Sequence, residues 1–194
     1  MTTANANRQA GLFMLFLLSI LALLLFSFAQ PSSANQAEAP LWQDISETDA
    51  MRQSNRRLVP SAYRLLRLNT AVLQDSLRQA PAEFSGEPGL ELTLPLPDGT
   101  NSRFLIHNSP IMEPELAAKF PEIQTYNGRG LDDPTASVRL GWTQHGFHAT
   151  IRAVGQPSVY IDPYAWGDTV NYISYRVTDY NTAPANLIRS ADTV

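Results

Sequence analysis

Two adjacent aspartates, Asp132 and Asp133, close the stretch PELAAKFPEIQTYNGRGLDDP at residues 114–134. Carboxylates held together can serve as acid and base, or as metal ligands. Acid–base work needs two carboxyls at a set separation with divergent pKa values, which adjacency in sequence does not supply. The string GLDDP is equally ordinary turn chemistry: aspartate caps exposed amides, and Pro134 steers Asp133 to an extended conformation. Glu113 with Glu115 and Asp162 with Asp168 are the other close carboxylate pairs. The three histidines, His107, His145 and His148, make no H-E-x-x-H pattern, and the odd spacing of the last two sends their side chains to opposite faces of a strand. No G-x-S-x-G elbow marks a serine nucleophile. The absence of cysteine excludes disulfides, thiolate zinc sites and cysteine nucleophiles. No catalytic residue, cofactor-binding residue or metal ligand of this chain is therefore assigned, and the chain is read as non-enzymatic.

The elements that would position these residues follow from periodicity. Leu90, Leu92, Leu94 and Leu96 alternate up to a Pro97–Asp98–Gly99 turn, and Phe104 and Ile106 answer on the returning strand, which makes a hairpin. Val138, Leu140 and Trp142, a turn at residues 144–146, then Phe147, Ala149, Ile151 and Ala153 make a second hairpin. SVYID and NYISYRV add further strands. Within the opening stretch, the spacing predicts a helical turn at 115–119, a strand at 122–126 and a bend at Gly128 and Gly130. Upstream, AYRLLRLN at residues 62–69 reads better as strand than as helix, and Asn69 or Thr70 caps a helix carrying Val72, Leu73 and Leu77 that Pro81 stops. The expected class is α+β, mainly β, an antiparallel sheet or sandwich of about seven short strands with one main helix. The aromatics Tyr160, Tyr164, Trp166, Tyr172, Tyr175 and Tyr180 form either a carbohydrate platform or, more simply, the closing edge of a sandwich.

Composition narrows the partners. A chain of 194 residues with 44% hydrophobic content buries one core and hardly two. Its net charge of -4, with no run of lysine or arginine, argues against a nucleic-acid surface. Residues 12–29 form an 18-residue apolar run, interrupted only by Ser19 and Ser27, behind Arg8; with a preceding signal helix of this kind the expectation is export. Residues 1–34 read as a signal peptide cleaved after Ala29 or Ala34, with an uncleaved anchor as the alternative and as the only membrane attachment expected. Residues 35–59 read as a polar linker with one docking segment at Leu41, Trp42 and Ile45, residues 60–180 as the β-rich domain, and residues 181–194 as the start of a linker or tail. The domain is expected outside the cytoplasm, secreted, periplasmic or at the cell surface.

Residues 60–180 also resemble the N-terminal pro-region of secreted bacterial reprolysin-like (metzincin) zinc metallopeptidases. The resemblance is carried by YRLLRLN, APAEFSG, LPLPDG, SPIMEPELAAKFPEIQTYNGRGLDDP, GFHATI, VYIDPY and YRVTDY, of which the long middle block is the most specific. In that family such a region precedes a catalytic domain bearing H-E-x-x-H-x-x-G-x-x-H, a motif missing from these 194 residues. The resemblance implies a module that assists folding of a metallopeptidase domain joined in cis and keeps it latent. Zinc would belong to that domain, with no cofactor on this chain. Latency by a cysteine switch is excluded, which leaves coverage of the cleft or a carboxylate, Asp132 or Asp133, reaching the partner's zinc. The alternative is a free-standing exported or membrane-anchored β-rich module that binds glycan or protein.

Overall fold

Period-two alternation with one apolar phase produces an antiparallel sheet that has one face in the core and one face in water. The computed structural model describes residues 40–180. Its order is β1 (Trp42–Asp44), α1 (Asp49–Arg52), β2 (Arg64–Leu68), α2 (Thr70–Leu77), β3 (Leu90–Pro95), β4 (Asn101–Asn108), α3 (Pro114–Ala117), β5 (Gln124–Gly130), β6 (Ser137–Thr143), β7 (Gly146–Arg152), β8 (Val159–Pro163) and β9 (Asn171–Arg176), then a 3-10 turn at Val177–Asp179. All nine strands form one antiparallel sheet in the order β1-β2-β9-β8-β7-β6-β5-β4-β3. From β3 to β9 each strand pairs with its successor. The beginning of the described chain then adds β2 beside β9 and β1 beside β2.

The sheet curls until its two edge regions meet. The Trp42 indole donates to the Thr93 carbonyl at 3.1 Å and the Ser174 hydroxyl to the Pro95 carbonyl at 2.8 Å. Arg64 holds the Asp44 carboxylate at 2.7 and 2.8 Å and donates to the carbonyls of Leu96 and Thr100 at 3.3 and 2.6 Å. No ladder joins β3 to β1 or β2 among the described residues, so side chains shut this near-barrel. The architecture is mainly β with α2 as its main helix, as expected. It has nine strands rather than about seven and wraps around one interior rather than stacking two sheets. The physical reason is a single inward-facing apolar set: Leu92, Leu94, Phe104, Ile106, Val138, Leu140, Phe147, Ile161 and Tyr172 share one buried cluster, which Leu73 and Leu77 of α2 join.

Two local expectations change. β5 runs straight through Gly128 and Gly130, which are strand residues rather than a bend. A Cβ at Gly128 would lie 2.7 Å from the Leu105 carbonyl oxygen, and one at Gly130 would lie 2.2 Å from the Asp133 carbonyl oxygen, so close backbone approach explains both glycines. The segment read as a polar linker is tied down from Pro40 onward. Trp42 to Asp44 pairs with Leu68 to Leu66, and Ile45, Met51, Leu58 and Tyr63 cover a second buried cluster of Leu65, Tyr164, Ile173 and Tyr175 on the outer face of the sheet. Among the described residues no helix is long and apolar enough to cross a membrane; the expected export segment at 1–34 and the tail at 181–194 lie outside the described residues.

Candidate functional site

Asp132 and Asp133 are adjacent in sequence but have separate jobs. Asp132 accepts from the Arg103 backbone N–H at 2.7 Å and from its guanidinium at 2.7 and 3.1 Å, which pins the β5–β6 connection onto β4. Those hydrogen bonds hold its carboxyl below the usual range. Asp133 spends Oδ1 on the Thr135 N–H at 2.8 Å and hydroxyl at 2.7 Å, which lowers its pKa as well. Asp133 is the less engaged of the two. Glu113 and Glu115 lie at the start of α3, and Asp162 and Asp168 engage different partners. Asp162 holds His148 Nδ1 at 2.7 Å and accepts from the Tyr175 hydroxyl at 2.8 Å, whereas Asp168 accepts from the N–H groups of Val170 and Asn171. His145 stacks on Trp166 with ring centroids 4.4 Å apart. No three His, Asp or Glu side chains gather to hold a metal among the described residues.

The six C-terminal aromatics do not all share one surface. Tyr160, Tyr164, Tyr175 and Tyr180 lie together in the outer cluster, with Tyr160 stacked on Tyr175 at 5.7 Å, whereas Tyr172 faces the barrel interior and Trp166 packs with Arg57 and His145. Tyr164 and Tyr63 donate to Glu47, the latter at 2.8 Å, while Arg56 sits over both rings at 4.4 and 5.0 Å. This cluster latches the segment after β1 to the sheet. The two phenols, Tyr164 first, hold the Glu47 carboxyl below its ordinary value, and burial together with Glu47 pushes Tyr164 up to about 12.

A groove of about 520 Å3 lies on the outer face of β4, β5 and β6. Its floor is the polar phase of the alternation: Leu105 and His107 from β4, Asn127 and Arg129 from β5, Ser137 and Arg139 from β6. Its rim is Glu83 and Phe84, held there because residues 81–83 bond along Asn108: Asn108 N–H to the Pro81 carbonyl at 2.8 Å and Glu83 N–H to the Asn108 carbonyl at 2.8 Å. The Glu83 carboxylate accepts from the Ser109 hydroxyl at 2.6 Å and from the Asn127 amide, and is thereby kept ionised, with Arg139 and His107 adding their fields. Phe84 is 93% exposed at a φ of 66°. A shallow groove of this kind, cationic along its floor and aromatic at its rim, can hold an extended polypeptide.

Sequence reading missed these residues because the polar half of an alternating strand marks only a solvated face. The available signal was arginine recurring on that half in successive strands. No family model, no curated protein and no solved structure matches the chain.

Proposed function

We propose that the chain is a non-catalytic domain of the pro-region type, belonging to an exported zinc metallopeptidase precursor, which assists folding of the catalytic domain and keeps it latent by packing against it in cis. The observation that supports this reading is the open groove on β4–β6, whose polar floor and aromatic rim suit a covering contact with another polypeptide. Latency then comes from occlusion of the cleft. A direct carboxylate contact to the partner's zinc would fall to Asp133 before Asp132, since Arg103 engages both oxygens of Asp132. The site of action is extracytoplasmic, and zinc and catalysis lie with the partner domain.

The test starts from the coding sequence that continues from or adjoins this one. A segment encoding H-E-x-x-H is expected, and the full chain added to that purified catalytic domain should suppress hydrolysis of a casein substrate, with activity returning once the chain is digested away. Undiminished hydrolysis at equimolar chain overturns the reading. Unrelated flanking sequence would favour the free-standing binding module instead.

A further inference from the structure

Arg129, Arg139 and Arg152 stand exposed on the outer faces of three consecutive strands, β5, β6 and β7. The register puts Ser137 between Arg129 and Arg152, and puts Arg139 one row further on, between Asn127 and Thr150. Arg129 to Arg139 and Arg139 to Arg152 are therefore diagonal neighbours on one face. None of the three forms an ion pair among the described residues. Elsewhere on the sheet Arg67 is likewise unpaired but isolated on β2, whereas Arg103 is paired with Asp132 and Glu91, Arg64 with Asp44, and Arg176 with Asp98. Glu83 is the carboxylate whose charge Arg139 feels, and its oxygens are engaged by Ser109 and Asn127. A chain of net charge -4 thus gathers three arginines outside any ion pair on one small area, with the Glu83 charge acting on Arg139. Such crowding disfavours the free surface and favours an anionic ligand.

The spacing identifies the ligand. Diagonal positions on adjacent strands lie about 7–8 Å apart, and alternate residues of an extended chain lie roughly 6.7 Å apart. Carboxylates at alternate positions of an extended segment therefore match each diagonal step, Arg129 to Arg139 and Arg139 to Arg152, and the long arginine side chains take up the difference between the end positions, since Arg129 and Arg152 flank Ser137 about 9.5 Å apart. At the β4 side the same surface ends in Leu105 and the exposed ring of Phe84, which an apolar side chain of that segment would cover. We propose that this face binds an extended acidic peptide segment of a partner, with Glu or Asp at every second residue and an apolar residue at one end. The proposal rests on the reading of the groove as a protein-binding surface, and it does not require the partner to be a peptidase.

Fluorescence anisotropy on the full chain tests it, with a labelled Glu-Ser-Glu-Ser-Glu-Ser-Leu peptide and its glutamine counterpart as probes. The glutamate peptide should bind at least about tenfold more tightly, and that advantage should shrink as salt rises. Arg129→Gln, Arg139→Gln and Arg152→Gln should each weaken binding by roughly three- to fivefold, the range of an exposed charge pair. Lysine at all three positions should retain most of the affinity, which separates lost charge from lost fold. Arg67→Gln, at an exposed and likewise unpaired arginine of β2, should change nothing. Equal binding of the two peptides, or an equal loss from Arg67→Gln, overturns the proposal, as does a sulfated oligosaccharide that outcompetes the peptide through the same arginines. Peptide binding that depends on the three arginines without suppression of the catalytic domain removes the latency reading alone. Suppression together with peptide binding that survives all three substitutions removes the acidic-segment proposal alone.

Discussion

Phe84 combines a left-handed backbone, φ 66°, with a ring that is 93% exposed, so it carries conformational strain and buries almost nothing in return. A β-carbon in that region costs about 1–2 kcal/mol, which glycine avoids at some cost in unfolded-chain entropy. Phe84→Gly is therefore expected to raise unfolding free energy in urea by about 1 kcal/mol while weakening the acidic peptide described above. A fall in stability would show that the ring packs on the sheet instead. Asp132 illustrates the opposite use of a residue. It is exposed and charged, as functional carboxylates are, yet its two oxygens are engaged by Arg103, and its value lies in holding a connection against β4.

At the scale of elements, α2 shows how local and global preferences agree. The Asn69 side chain accepts from the Val72 N–H at 3.3 Å, and Leu73 and Leu77 enter the barrel interior. Leu73→Ala is expected to cost about 2–5 kcal/mol, read as a lower urea midpoint at unchanged slope, because the interior is filled from all sides and collapses poorly. That helix, its cap and both hairpins were legible in the sequence, since Phe104 with Ile106 and Phe147 with Ala149 and Ile151 write the inward phase directly into the spacing. Less legible was β1, whose three residues are too few to show a period. The closure of the sheet was hidden for a different reason: the Trp42 to Thr93 bond joins positions 51 apart, and periodicity carries no long-range information. The groove was hidden because register, which sequence alone leaves open, decides that Arg129, Arg139 and Arg152 become neighbours.

For the whole molecule, Glu47 of the latch contributes to the acid side of the stability range, together with Asp44, Glu83, Asp98, Asp132 and Asp133, which are likewise held low, and the buried phenols contribute to its alkaline side. Glu47 is held below its ordinary value, so its contribution is present above that value and is lost as pH falls through it and then through the depressed folded value. Tyr164 and Tyr172 are pushed up to about 12, so their contribution is complete below the ordinary phenol value of 10.0 and is lost as pH rises from there toward 12. Melting temperatures measured across pH should show a plateau with an acid limb below about pH 5 and an alkaline limb above about pH 10. Glu47→Gln should lower the plateau and flatten the acid limb; an acid limb of unchanged steepness would remove Glu47 from this role. The seam where β3 meets β1 and β2 has a further consequence. A sheet edge is a template on which a second copy of a chain can build a growing fibril. Here Pro95 offers no N–H, Glu91 places a charge along the strand, and the Trp42 and Ser174 donors already occupy two of the outward carbonyls. Closing the barrel with side chains in place of a ladder therefore still denies a second copy the β3 edge on which aggregation could start.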